Sequence, residues 1–314
     1  MVVSKYRDSQ YGRQERLMQS EDIFSGDKGN GVFKGKARSF VLQNGMNNLY
    51  EPIRMEAIHY FKDNKISWWG GSRPAAHTLS SQIACLNHLF SIRKDKDAVL
   101  AMLNGIRDEF VDVLQIGCDK EPQYIGFEVV SDCDYLNEQN STRGSQCTSV
   151  DAIIYAKHKS GTRWLIPIEW KYTECYQNED KSDGAKGQVR VGRYAALTDA
   201  SLQLMSLDNY YGSVYYQEPF YQLMRQTLWA ENMVKHNTAE RLSADDYLHI
   251  HVIPHQNGDL LDMRYKVSGK GMENTWRDML SDQSKYIIID PATLFAPIVH
   301  RYPDLAEYLR LRYW

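Results

Sequence analysis

The sequence predicts an α/β protein: one domain built on a mixed, mainly four-stranded core sheet flanked by helices. Two observations carry this. Segments with apolar residues at three- and four-residue steps, the period of a helix, alternate with short segments dense in Ile, Val and aromatics, the composition of strands. No internal repeat, low-complexity tract or linker divides the chain, and 314 residues with 43% hydrophobic content suffice for a large core.

The elements follow in order. Residues 1–40 are polar and rich in Lys and Arg, and GDKGNG (Gly26 to Gly31) has too few apolar groups to anchor regular structure, so this stretch is expected to be an irregular polar arm. Residues 41–314 form the domain. Leu49, Ile53, Ala57 and Tyr60-Phe61 predict a helix from about Asn47 to Lys65. A second helix runs through SSQIACLNHLF with Thr78 or Ser80 as its cap, and a third through DAVLAMLNGIRDEFVDV. YIGFEVV (Tyr124 to Val130), VDAIIYA (Val150 to Ala156) and WLIPIEW (Trp164 to Trp170) are strands, the last two joined as a hairpin through Ser160-Gly161. Helices return over Arg190 to Leu207 and Glu218 to Val234. Strands are expected at Tyr247 to Pro254 and Lys285 to Asp290, and short helices after Pro291 and Pro303.

Composition removes several classes of function. No stretch approaches the roughly 18 apolar residues of a membrane span, and the polar start lacks the apolar core of a signal peptide, so a cytoplasmic location without membrane contact is expected. Five cysteines without a CxxC pair point to neither a disulfide framework nor a thiolate zinc site. A net charge of -3 argues against wrapping nucleic acid by bulk electrostatics; any such contact must be a local basic surface.

The chemistry concentrates in the predicted hairpin. In IEWK, Glu169 and Lys171 lie two residues apart on a strand, so a carboxylate and an ammonium leave the same face while Trp170 points to the other. Asp151 begins the preceding strand, and the hairpin folds it back beside Glu169. Read alone, this spacing also describes a solvent-facing ion pair. Its setting favours a site: both carboxylates interrupt runs apolar enough to be buried, where an ionised group is costly unless paired or bound to metal. Carboxylates suit magnesium or manganese, and a cation with an activated water is what phosphodiester hydrolysis needs.

Asp151 in TSVDAIIYA, with Glu169 and Lys171 in PIEWKYTE, resembles the D…ExK core of the PD-(D/E)XK nuclease superfamily, and more loosely so do Gln82 in SSQIACLNHLF and Gln222 to Gln226 in YQLMRQ. The wording is similar to a little-characterised bacterial branch, over roughly Trp68 to Pro254. Ser149-Val150 stands where the motif's Pro would be. The resemblance implies a restriction-endonuclease-like core in αβββαβ order, with N- and C-terminal helical additions, and a nuclease acting on DNA, with RNA left open and a homodimer allowed. By the same resemblance Asp151 and Glu169 bind Mg2+ or Mn2+, and Lys171 orients or activates the water and stabilises charge on the phosphate. Glu128 in GFEVV is either a third acid or a solvent-facing strand residue. Gln82, Gln222, Gln226 and Glu174 are possible accessory groups; for Gln82 an ordinary helix surface is an equal reading, and for Glu174 a loop charge is the plainer one. The alternative from another class is a nucleic-acid-binding or structural protein that keeps the fold without catalysis.

Other signals carry less. His249, His251 and His255 have a spacing that can ligate zinc, but a His pair on a half-exposed strand is the stronger reading. GDKGNG and GKG lack the phosphate-loop pattern. Trp68 and Trp69 in SWWGGSRP can stack on bases, although paired Trp more often belong to a core.

Overall fold

A computed structural model describes residues 4–69, 71–117, 121–139, 147–176 and 179–314. Its centre is a mixed sheet of seven strands, not the four expected. β3 (Phe110–Leu114), β4 (Ile125–Val129), β5 (Val150–His158), β6 (Arg163–Trp170), β7 (Asp246–Tyr247), β8 (His249–Val252) and β9 (Tyr286–Ile289) form it; a separate hairpin, β1 (Gly31–Phe33) and β2 (Lys36–Arg38), precedes it. β5 pairs antiparallel with β6, while β8 and β9 run parallel to β6. β3 and β4 divide one edge of β5 between them, and β7 and β8 divide one edge of β6. The extra strands escaped the sequence reading for local reasons. β3 follows α4 after only three residues, Arg107 to Glu109, with no Gly or Pro among them to mark the change, so the helix was expected to continue through it, and β7 is only two residues long.

Helices cover both faces. On one, α2 (Arg54–Asp63), α3 (Ser81–Leu89), α4 (Lys96–Ile106), α9 (Pro291–Phe295) and α10 (Pro303–Arg312) pack on Ala152, Ile154, Ile166, Ile168 and Trp170. On the other, α5 (Gly184–Asp199), α6 (Phe220–Lys235) and α8 (Met272–Arg277) pack on Ile153, Tyr155 and Leu165, and the short α7 (Gly258–Leu261) adds Leu260 to the same layer. This alternation along β5 and β6 is the two-residue period of a strand buried on both sides. The hairpin between them turns at Gly161, whose φ of +90° a side chain would resist.

Two further expectations need correction. Residues 5–20 of the supposed arm form α1 (Lys5–Ser20), capped by Ser4, and only part of the remainder is irregular; Met1 to Val3 lie outside the described residues. α1 is polar, and hydrogen bonds hold it: Gln14 Nε2 donates to the Arg312 carbonyl (2.9 Å), the Tyr172 hydroxyl to Gln10 Oε1 (3.0 Å), and Tyr6 N–H to Asp259 (2.7 Å). The helix expected from Asn47 starts only at Arg54, after two 3-10 turns around Pro52, which lacks an amide proton to continue a longer helix. The cap at Ser80, which accepts from the Ile83 amide, agrees with the sequence.

No helix among the described residues is long and apolar enough to cross a membrane.

Candidate active site

The pairing registers bring three carboxylates to one level of the sheet. Phe127 opposite Ala152 and Val129 opposite Val150 place Glu128 across from Asp151; one step beyond the last β5–β6 pair, Ala152 with Ile168, Asp151 meets Glu169. The β5–β6 ladder ends there, and the β4–β5 ladder skips this pair before resuming at Val129 and Val150. Trp170 N–H donates to Asp151 Oδ2 (2.8 Å) in place of a backbone carbonyl of β5, and Glu128 adopts a left-handed backbone with φ of +49°. Such a conformation costs a non-glycine residue roughly 1–3 kcal/mol, and it turns the strand at the point where the carboxylate enters the cleft.

Each acid has a defined setting. Glu169 and Lys171 are 5% and 4% exposed, and Lys171 Nζ is ion-paired with Glu169 Oε1. Lys171 also donates to Gln222 Oε1 (2.6 Å), while Gln226 donates to the other Glu169 oxygen. α6 thus presents two glutamines, one turn apart, to the two ends of the pair. Gln226 Oε1 in turn meets His249 Nε2 at 3.0 Å. Glu128 accepts from Gln82 Nε2 (2.7 Å) and Ser149 Oγ (3.0 Å). Glu174 turns to the Tyr172 amide (2.6 Å) but still lines the cleft.

Electrostatics follow from burial. Desolvation pushes the Asp151 carboxyl well above the ordinary range, and the Glu169 and Glu128 charges push it the same way, against Lys171. Burial, the largest influence, lowers the Lys171 ammonium; Glu169, Tyr176, Glu174 and Asp151 together outweigh it and hold the amine well above its ordinary value. Crowded carboxylates, one of them reluctant to ionise, are relieved by a cation.

Two carboxylates with room for water are a donor set that suits magnesium, which prefers oxygen ligands and keeps several waters. Among the described residues no group of three or more His, Cys, Asp or Glu side chains stands ready to enclose a metal. Both oxygens of Glu169 are engaged as described, so it would exchange a protein partner for the cation. The histidines do not form a metal centre. His249 and His251 are buried in the α6-side layer, desolvation holds His249 down to about 4, and His251 Nδ1 pairs with the Tyr286 hydroxyl (2.8 Å). His255 points away to Asp290 (2.7 Å).

The acids floor a cleft of about 820 Å³. Its walls hold residues that motif reading missed: Arg190 and Arg193 on α5, Arg225 on α6, and the rings of Tyr194 and Tyr221. Arg225 is anchored by Glu138 (3.1 Å), which also accepts from the Tyr194 hydroxyl (2.6 Å). The one available signal was spacing, since Lys186, Arg190 and Arg193 recur at four and three residues and so share a helix face.

An α/β fold with acids and a lysine gathered at the end of the β5–β6 hairpin is compatible with a nuclease-like class of protein. The chain belongs to the family described as Restriction Endonuclease associating with ARP, which matches residues 10–314. No curated protein and no solved structure matches it.

Proposed function

We propose that this protein is a metal-dependent nuclease of the PD-(D/E)XK type that hydrolyses phosphodiester bonds in DNA. One observation carries the reading: Asp151, Glu169 and Lys171 line one cleft, on two strands whose remaining inward residues are apolar. Family membership supports nuclease chemistry, and its description adds association with ARP, which we carry to this chain as part of the proposal.

In this reading Asp151 and Glu169 hold Mg2+ or Mn2+, with Glu128 as a third acid at the same level. The bound cation supplies charge stabilisation for the phosphate and an activated water. Lys171, held protonated beside Glu169, donates a hydrogen bond and a positive charge to the phosphate oxygens as their negative charge grows. Gln222 and Gln226 fix the directions of Lys171 and Glu169. Gln82 holds Glu128 toward the cleft.

The engagement of both Glu169 oxygens by Lys171 and Gln226 is the observation that favours a second reading, a non-catalytic scaffold with a structural ion pair. Incubation with plasmid, linear duplex and single-stranded DNA, with and without magnesium, separates the two. The nuclease reading expects magnesium-dependent cleavage of at least one substrate; the scaffold expects none.

A further inference from the structure

The cleft has two chemically different walls, and they come from opposite layers of the fold. The α5–α6 side carries Arg190, Arg193 and Arg225. Among the described residues Arg190 and Arg193 pair with no carboxylate: Arg190 donates to the Lys181 carbonyl (3.0 Å) and lies over the Tyr221 ring, and Arg193 lies over Tyr194. With Lys186 they make a basic stripe along α5 that leads into the cleft, in a protein whose net charge is -3. A basic stripe confined to one wall of an acidic site is placed to follow a phosphate backbone.

The other wall is aromatic. Trp68 is buried and stacked on Phe61, with centroids 3.8 Å apart and planes within 10°, which anchors the segment. Its neighbour Trp69 faces the opposite way and is 63% exposed at the cleft. Trp69 is not loosely placed: its amide donates to Gln82 Oε1 (2.9 Å), whose Nε2 donates to Glu128 Oε1 (2.7 Å). Two hydrogen bonds therefore connect the backbone of this exposed tryptophan to an acid of the site. A large apolar ring left in water beside a cleft, on a backbone fixed to the cleft's polar floor, is suited to stacking on a flat ligand.

We propose that the cleft takes an unpaired DNA strand, with a base stacked on Trp69 and phosphates along Arg190 and Arg193, so that the bond over the acids belongs to a single-stranded segment. This rests on the nuclease reading and names its substrate class. Size points the same way. A cleft of about 820 Å³ is on the scale of one that encloses a small ligand, roughly 300–1,000 Å³, and a base pair in a duplex has no free face to offer the indole.

The test is binding by the full chain, with calcium replacing magnesium to hold back cleavage, to a fluorescein-labelled single strand and to the blunt duplex of the same sequence. The single strand binds more tightly. Trp69→Ala weakens it about 5- to 150-fold, the equivalent of about 1–3 kcal/mol for one stacked base, and Trp69→Phe recovers part of the loss. Arg193→Ala lowers the dependence of log affinity on log salt by about 0.7, one phosphate contact to a single strand. A duplex that competes as well as the single strand overturns the proposal. So does an unchanged affinity in Trp69→Ala, which assigns the indole to a protein contact instead. Magnesium-dependent cleavage by the unaltered protein is scored separately: its persistence when Trp69→Ala binds normally leaves the nuclease reading intact, and its absence when Trp69→Ala binds poorly removes that reading while the strand site stands.

Discussion

Lys171, the residue that follows β6, and Glu169 near its end form a buried ion pair whose outer hydrogen bonds both end on α6. Breaking a buried pair by removing one partner leaves an uncompensated charge and costs about 3–5 kcal/mol. Lys171→Ala is therefore expected to melt well below the unaltered protein without metal, and manganese should restore part of the loss by giving Glu169 a new counter-charge. DNA cleavage by this variant should fall by at least about 10²-fold while manganese still binds, because the lost group acts on the phosphate. Thermal melts with and without manganese, calorimetric titration and a cleavage assay check all three. Normal cleavage would return the pair to a structural role.

Glu128 combines a left-handed backbone with a carboxylate held by Gln82 and Ser149. Glu128→Gln keeps the shape and removes the charge, so manganese affinity is expected to fall about tenfold or more with little change in melting temperature. Gln82→Ala is expected to weaken metal binding less, since it frees the carboxylate without removing it. Equal manganese affinity for Glu128→Gln and the unaltered protein would exclude Glu128 from the metal set.

Acid sensitivity follows from His88. Its Nδ1 lies 2.7 Å from the Ala84 carbonyl and Nε2 accepts from the Trp314 indole N–H (3.1 Å), an arrangement that uses the neutral ring. Desolvation lowers its pKa from 6.5 to about 3, so the unfolded chain takes the proton first. The stability this contributes is fully present above about pH 6.5 and is lost as the pH falls toward 3, by about 1.4 kcal/mol per unit. Denaturant titrations between pH 7 and pH 4 should show stability falling with pH, and His88→Gln should lessen the slope by about 1.4 kcal/mol per unit, the rest belonging to the other lowered histidines, His77 and His249 among them. A slope unchanged in His88→Gln would assign acid sensitivity to other groups, such as His77, which burial also lowers to about 4.

What the sequence disclosed and what it hid divide on physical grounds. The hairpin from Val150 to Trp170 was legible because burial on both faces writes itself as continuous Ile, Val and aromatic residues, and Gly161 marks the turn. The common face of Glu169 and Lys171 followed from strand period, and the approach of Asp151 from the hairpin. α1 was not legible, since Gln10, Gln14 and Arg13 hold it through hydrogen bonds to distant residues rather than through an apolar stripe. Nor was the arginine wall: Arg190 and Arg193 line the cleft with the acids only because α5 and α6 pack on that face of the sheet, a relation between segments that no local pattern encodes. Trp69 was half legible, as one of a pair whose buried member, Trp68, is the one stacked in the core.

The central claim, that Asp151 and its neighbours form a metal-dependent hydrolytic site, is tested most directly by comparing DNA cleavage by the unaltered protein and by Asp151→Asn in magnesium. Asn keeps the size of the side chain and its acceptor for the Trp170 amide, and it removes a carboxyl that burial already strains, so the variant should remain folded. The expected result is cleavage by the unaltered protein that chelation abolishes, and a loss of at least about 10³-fold in folded Asp151→Asn. Cleavage by Asp151→Asn at the unaltered rate, or cleavage that survives chelation, would contradict the account.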